Sequence, residues 1–173
     1  MRDELPADTN ADPAARTTSP VSANMPTLGE IGLQRYAPYL MNRIMGLYNA
    51  SVLAELNRHG ISIAKLRALA VLSARPGLMI NELAVYCVIE QSTMSRTLAS
   101  MLNEGLIRRQ DDTEDNRVRR IYLTDKGREV FEHLWPAMAS AHQDLFEGIN
   151  EAERDAFVTT LNRMLLNVRK HPF

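Results

Sequence analysis

Cysteine is nearly missing from this chain: Cys87 stands alone among 173 residues. One thiol cannot close a disulfide within the chain or supply a CxxC motif, so a disulfide framework and a zinc finger are both excluded. That usage suits a reducing, cytoplasmic setting. A strong excess of either charge is also lacking, since the formal net charge is -1 and the isoelectric point about 6.4. Bulk electrostatics therefore draw the protein neither to nucleic acid nor to an anionic membrane, and any such function has to sit in a local patch. Residues 1–27 contain no apolar run, which argues against a signal peptide or a membrane span there. Their acidic, Pro- and Ala-rich composition predicts a disordered tail. GxSxG, Walker, Rossmann and HExxH patterns are absent, so neither an enzyme nor a cofactor is expected.

What is present is enough for one core, because 45% of the residues are hydrophobic. Leu33, Tyr36, Leu40, Ile44, Leu47 and Ala54 recur at helical spacing and predict a long helix over about 30–58, with Pro38 in its first turn or as a kink. Gly60 ends it as a glycine cap. Ser62 caps a second helix whose inner face is Ile63, Leu66, Leu69 and Ala70, and Arg75-Pro76-Gly77 stops it. Two further helical patterns follow, one on Leu83, Ala84 and Cys87 and one on Met94, Leu98, Met101 and Leu102, separated only by Val88 to Gln91. Helices joined that tightly read as helix-turn-helix.

Past Gly105 the period shortens, and "LIRRQ" and "RRIYL" read as the strands of a hairpin. A helix from Thr124 interrupted by Pro136 comes next. The last one is capped by Asn150 with Glu153 and buries Phe157, Leu161, Met164, Leu165 and Val168. Cys87 belongs to an apolar helical row with no basic neighbour in sequence, so it reads as core. His133 and His142 lie about two and a half turns apart on one helix and read as surface or interface residues, not metal ligands.

The hairpin tip falls in "RRQDDTEDNRVRRIYLTDKG", which sets five arginines and a lysine against five carboxylates. A solvated turn is one reading. A helix-turn-helix followed directly by a charged hairpin is also the layout of a winged helix, with this stretch as the wing. The second helix of the pair agrees: opposite its apolar row it carries Gln91, Ser92, Thr93, Ser95 and Arg96. Small hydroxyls with one bidentate donor suit a helix in the major groove. Arg117 and Arg119 sit where a wing tip would enter the minor groove, and Asp115 is placed to orient Arg117.

Residues from about 30 to 170 resemble the MarR family of transcriptional regulators. "INELAVYCVIEQSTMSRTLASMLNEGLIRRQ" is similar to that family's helix pair and first wing strand. Asp115, Arg117 and "LTDKG" at 123–127 fall on its wing Asp-x-Arg and its Leu-Thr-x-x-Gly. Met79, Val88 and Glu90 depart from it, standing where a capping Thr, a turn Gly and a capping Ser or Asp are common. The resemblance implies a homodimer with interlocking first and last helices, a DNA-binding lobe on each subunit, and a small-molecule or oxidant signal that loosens DNA binding.

The resulting expectation is a mainly α protein: a winged helix-turn-helix lobe over about 61–124, a small β-hairpin wing, and long dimerisation helices over about 30–58 and 125–170. A single domain spans 28–173. Its function is that of a sequence-specific regulator on a pseudo-palindromic double-stranded operator, a repressor before an activator. Leu33, Leu40, Phe157, Leu161 and Leu165 form the dimer contact. Trp135 and Pro136 with Tyr36, Tyr39 and Tyr48 line a pocket for a small apolar or aromatic acid. The reading left open beside this one is a winged-helix module that binds protein and has no DNA target.

Overall fold

The computed structural model describes residues 25–112 and 117–171, so the tail read over 1–27 lies outside the described residues up to residue 24. The chain divides after Met41.

Before that boundary, Thr27 opens α1 (Leu28–Ile31) with a capping box: Glu30 N–H donates to Thr27 Oγ1 at 3.3 Å and Thr27 N–H to Glu30 Oε2 at 2.6 Å. Gly32 ends that turn at φ 77°, a 3-10 turn follows over Leu33–Arg35, and α2 (Ala37–Arg58) begins only after an extended Tyr36. The first long helix thus starts later than its apolar spacing suggests, and Leu33 and Tyr36 fall outside it. Pro38 is a first-turn residue and not a kink, because an N–H missing there costs the helix no hydrogen bond.

From Asn42 onward the chain forms the winged lobe and its flanking helices. α2 ends as expected, with Gly60 at φ 65° and Ile61 N–H bonded to the Leu56 carbonyl at 2.9 Å. Ser62 caps α3 (Ile63–Ala74) by accepting from Lys65 N–H. Helix α4 (Ile80–Cys87), a three-residue turn and α5 (Gln91–Asn103) form the helix-turn-helix. Strands β1 (Ile107–Asp111) and β2 (Arg119–Leu123) pair antiparallel, Ile107 opposite Leu123 and Asp111 opposite Arg119.

One core joins these elements. Val52 and Leu56 of α2, Leu66, Leu69 and Leu72 of α3, Leu83 and Cys87 of α4, Met94, Leu98 and Met101 of α5, and Ile107, Ile121 and Leu123 of the hairpin are all buried. Residues at i, i+4 and i+7 of α5 present one stripe to that core and leave the opposite face in solvent.

Helix α6 (Asp125–Leu145) carries Leu134 into the core and runs on through Pro136 without the expected interruption. Partial burial of Phe131, Met138 and Ala141 against the core on both sides of the proline holds the helix there, against the lost hydrogen bond. Helix α7 (Glu151–Val168) starts at the expected Asn150–Glu153 capping box but buries nothing. Phe157 is 46% and Leu165 60% exposed, Val168 is exposed, and Leu161 and Met164 are half-buried. Among the described residues nothing buries this stripe fully, which corrects the expectation of burial.

Candidate nucleic-acid interface

Three features place α5. Glu82 accepts from Met79 N–H at 2.8 Å and so closes the start of α4, where a capping hydroxyl is lacking. The Arg67 guanidinium of α3 donates to the Cys87 carbonyl at 3.3 Å, pinning the other end of α4. Between α4 and α5, Val88 takes the left-handed conformation, φ 54° and ψ 53°, while Ile89 N–H bonds the Ala84 carbonyl at 3.0 Å. Among the described residues Val88 is the sole non-glycine with positive φ.

With Met94, Leu98 and Met101 buried, Gln91, Ser92, Ser95 and Arg96 are exposed and Thr93 is half-buried. Thr93 is tied into the helix surface, since its carbonyl accepts from the Thr97 hydroxyl at 2.9 Å and its own hydroxyl from Arg96 Nη2 at 3.3 Å. Arg96 is thereby held along the helix and does not trail from it. Glu90 supplies no side-chain cap to the first turn of α5.

The wing is anchored at its root by "LTDKG". Thr124 caps α6 through Gly127 N–H at 3.0 Å and donates its hydroxyl to the Gly105 carbonyl at 2.6 Å. Lys126 Nζ donates to the Glu104 carbonyl at 2.8 Å. A Cβ on Gly127 would lie 1.9 Å from the Leu106 carbonyl oxygen, so only glycine lets α6 approach the chain entering β1. The motif therefore fixes how the hairpin leaves the lobe.

Along the hairpin the charges are paired across strands. Arg119, expected beside the groove, begins β2 and ion-pairs with Asp111, its register partner. Asp112 pairs with Arg120, and the carboxylate pushes the guanidinium pKa further up from its already high value. Arg108 lies 4.7 Å above the Tyr122 ring and donates to Gln110 at 2.8 Å. Arg117 is exposed in the turn before β2. Asp115, read as its orienting partner, lies outside the described residues. Asp111 and Asp112 thus hold arginines in place, which gives two of the crowded acids a structural role. Sequence reasoning missed Asp112 and Arg120; the signal was their near-symmetric position about the hairpin tip.

Trp135 is 54% exposed and meets Phe131 in a tilted ring contact at 6.0 Å. The hollow it lines is completed by Ala70, Ser73, Ala74, Arg128 and Glu132, with no tyrosine of α2 in it. Cys87 is buried, and desolvation pushes its thiol up to about 11 despite the nearby Arg67. No cluster of metal-ligating side chains occurs among the described residues, and none of their helices is long and apolar enough to cross a membrane.

Comparison with known proteins bears on this interface. A model of the MarR family matches residues 59–117, from the end of α2 to the wing. A solved MarR-family transcriptional regulator of Silicibacter pomeroyi is 51% identical, with a TM-score of 0.81 over 86% of this chain and 100% of that one. The HTH-type transcriptional repressor IacR of Pseudomonas putida is 25% identical over 81% of each chain. At 22% identity the fold is shared with BpsR of Bordetella bronchiseptica, TM-score 0.66, covering 77% of this chain and 95% of that one; its DNA binding is regulated by 6-hydroxynicotinic acid.

Proposed function

The chain belongs to the MarR family of transcriptional regulators, and from that premise we propose that α5 reads the major groove of a pseudo-palindromic operator while Arg117 and Arg119 serve the adjacent minor groove. The observation that carries this reading is the split surface of α5. Its apolar row is locked into the core, and the face left to solvent consists of short hydroxyls, Gln91 and an Arg96 steadied by Thr93. Such a face approaches base edges closely, and arginine is the usual bidentate partner of guanine. Asp115 remains the proposed orienting partner of Arg117.

The regulator acts in the cytoplasm as a homodimer through Leu33, Leu40, Phe157, Leu161 and Leu165, so that two lobes address half-sites about 10 base pairs apart or a multiple of that. Repression is the sense of regulation, as in the name of the Pseudomonas putida relative. A small aromatic acid releases it. The hollow between α3 and α6 supports that class of effector, since Arg128 offers a carboxylate partner beside the Phe131 and Trp135 rings. The hollow lies just before Arg75-Pro76-Gly77, the loop on which the wing leans.

Operator capture from a pool of random duplexes, followed by anisotropy titration, tests the reading. A selected palindrome bound at physiological salt, and lost on Arg96→Ala, is expected. A protein that enriches no sequence is instead the winged module that binds protein.

A further inference from the structure

A carboxylate near phosphate repels it, yet Asp112 sits where the wing's strands give way to its tip, with its side chain only 11% exposed. Its partners explain that position. The carboxylate pairs with Arg120 Nε, and the same guanidinium donates through Nη1 to the Gly77 carbonyl at 3.0 Å. The backbone N–H of Asp112 donates to the Val118 carbonyl at 3.0 Å, closing the hairpin one residue below Arg117. Gly77 N–H in turn donates to the Ile121 carbonyl at 2.9 Å, and Ile121 N–H to the Leu78 carbonyl at 3.0 Å. Asp112 therefore joins both sides of the wing, and Arg120 bolts that junction to the loop between α3 and α4.

We propose that Asp112 and Arg120 are positioning residues for operator binding: they set the height and direction of the wing so that Arg117 meets the duplex already placed. The inference rests on the reading of the wing as a DNA contact. Its physical basis is preorganisation. A loop ordered before binding does not spend binding free energy on its own ordering, so a junction that never touches DNA still raises affinity. Arg120 is largely committed to Asp112 and Gly77, and is not the arginine that reaches phosphate.

The charge of Asp112 makes the test sharp. Removing a carboxylate beside a polyanion strengthens binding if electrostatics alone act, whereas loss of a positioning residue weakens it. Asp112→Asn, Arg120→Lys, Arg117→Ala and the Asp112→Asn, Arg117→Ala double variant are titrated against the selected operator and against an unrelated duplex, with thermal midpoints alongside. We expect Asp112→Asn to bind operator about tenfold more weakly, roughly 1.4 kcal/mol, with the unrelated duplex held as well as before or better. Arg120→Lys keeps the charge but not the two-way link, and falls between. In the double variant Asp112→Asn adds no further loss, because the group it positions is gone. Should Asp112→Asn unfold the hairpin, Arg120→Lys decides alone, and unchanged operator affinity there overturns the inference. So does an Asp112→Asn protein that binds operator as tightly as the parent. If Arg117→Ala itself binds normally, the wing reading has failed, a result separable from failure of the junction alone.

Discussion

Val88 and Gly127 stand at opposite ends of what a single residue can tolerate. Val88 is β-branched in the left-handed region, a conformation that costs a non-glycine residue about 1–2 kcal/mol, and its side chain is 82% exposed, so packing returns little. Val88→Gly is expected to raise stability by about 0.5–1 kcal/mol, the gain being trimmed by the greater freedom of glycine in the unfolded chain. Urea unfolding monitored by circular dichroism measures it, and a lowered midpoint refutes the strain argument. Gly127→Ala goes the other way: its methyl collides with backbone at Leu106, so a loss of about 3 kcal/mol or failure to fold is expected in the same assay. Cys87, with its pKa pushed up to about 11 by burial, should resist iodoacetamide at pH 8 in the folded protein and react once unfolded. A raised thiol pKa favours the folded state while the thiol is neutral. That contribution is complete below the ordinary value of 9.0 and disappears as pH climbs toward about 11.

Helices and hairpin were legible to different depths. The apolar spacing of α3, α4 and α5, and the caps at Ser62 and Asn150, placed those elements, because periodicity and capping are local. Core packing on both flanks keeps α6 whole at Pro136, against the local reading, and local backbone turns at Gly32 and Tyr36 delay α2. The solvent-facing set of α5 followed from its apolar row. The wing's cross-strand pairs did not, since they depend on a register that alternation alone leaves free. The tie between α3 and α5 was equally invisible: Glu104 accepts from Lys65 Nζ at 2.6 Å and from Ser100 Oγ at 2.7 Å. The hydrogen bond from Lys65, then that from Ser100, lower the Glu104 pKa below 4.5, so the folded state prefers the carboxylate. Its contribution is present above 4.5 and lost as acid protonates the folded group. With its side chain 40% exposed the contribution is small. Glu104→Gln should lower the midpoint slightly at pH 7 to 9 and flatten the acid limb, so that variant and parent converge in acid.

At the scale of the whole molecule, the exposed row of α7 is the largest departure from what a lone chain would choose. Phe157 and Leu165 are each about half exposed, with Val158, Leu166 and Val168 beside them, on a helix whose every residue escapes full burial. Fully burying one such side chain is worth about 1.5–3 kcal/mol, and twofold symmetry counts each residue twice. A second copy that covers this row would therefore recover several kcal/mol, enough to make the free monomer scarce. In the proposed dimer the same coupling would join two lobes on one operator. Once the first lobe is bound, the second searches at an effective concentration near millimolar, and losing that link costs about 100-fold or more in affinity. Replacing Phe157 and Leu165 together with Asp puts four charges into the proposed interface of a dimer. Sedimentation at micromolar concentration should then show a folded monomer whose operator affinity falls by about that factor, while its affinity for a single half-site stays that of the parent lobe. If the doubly charged protein still sediments as a dimer and holds the full palindrome, the subunits meet elsewhere, and the apolar row of α7 needs another occupant.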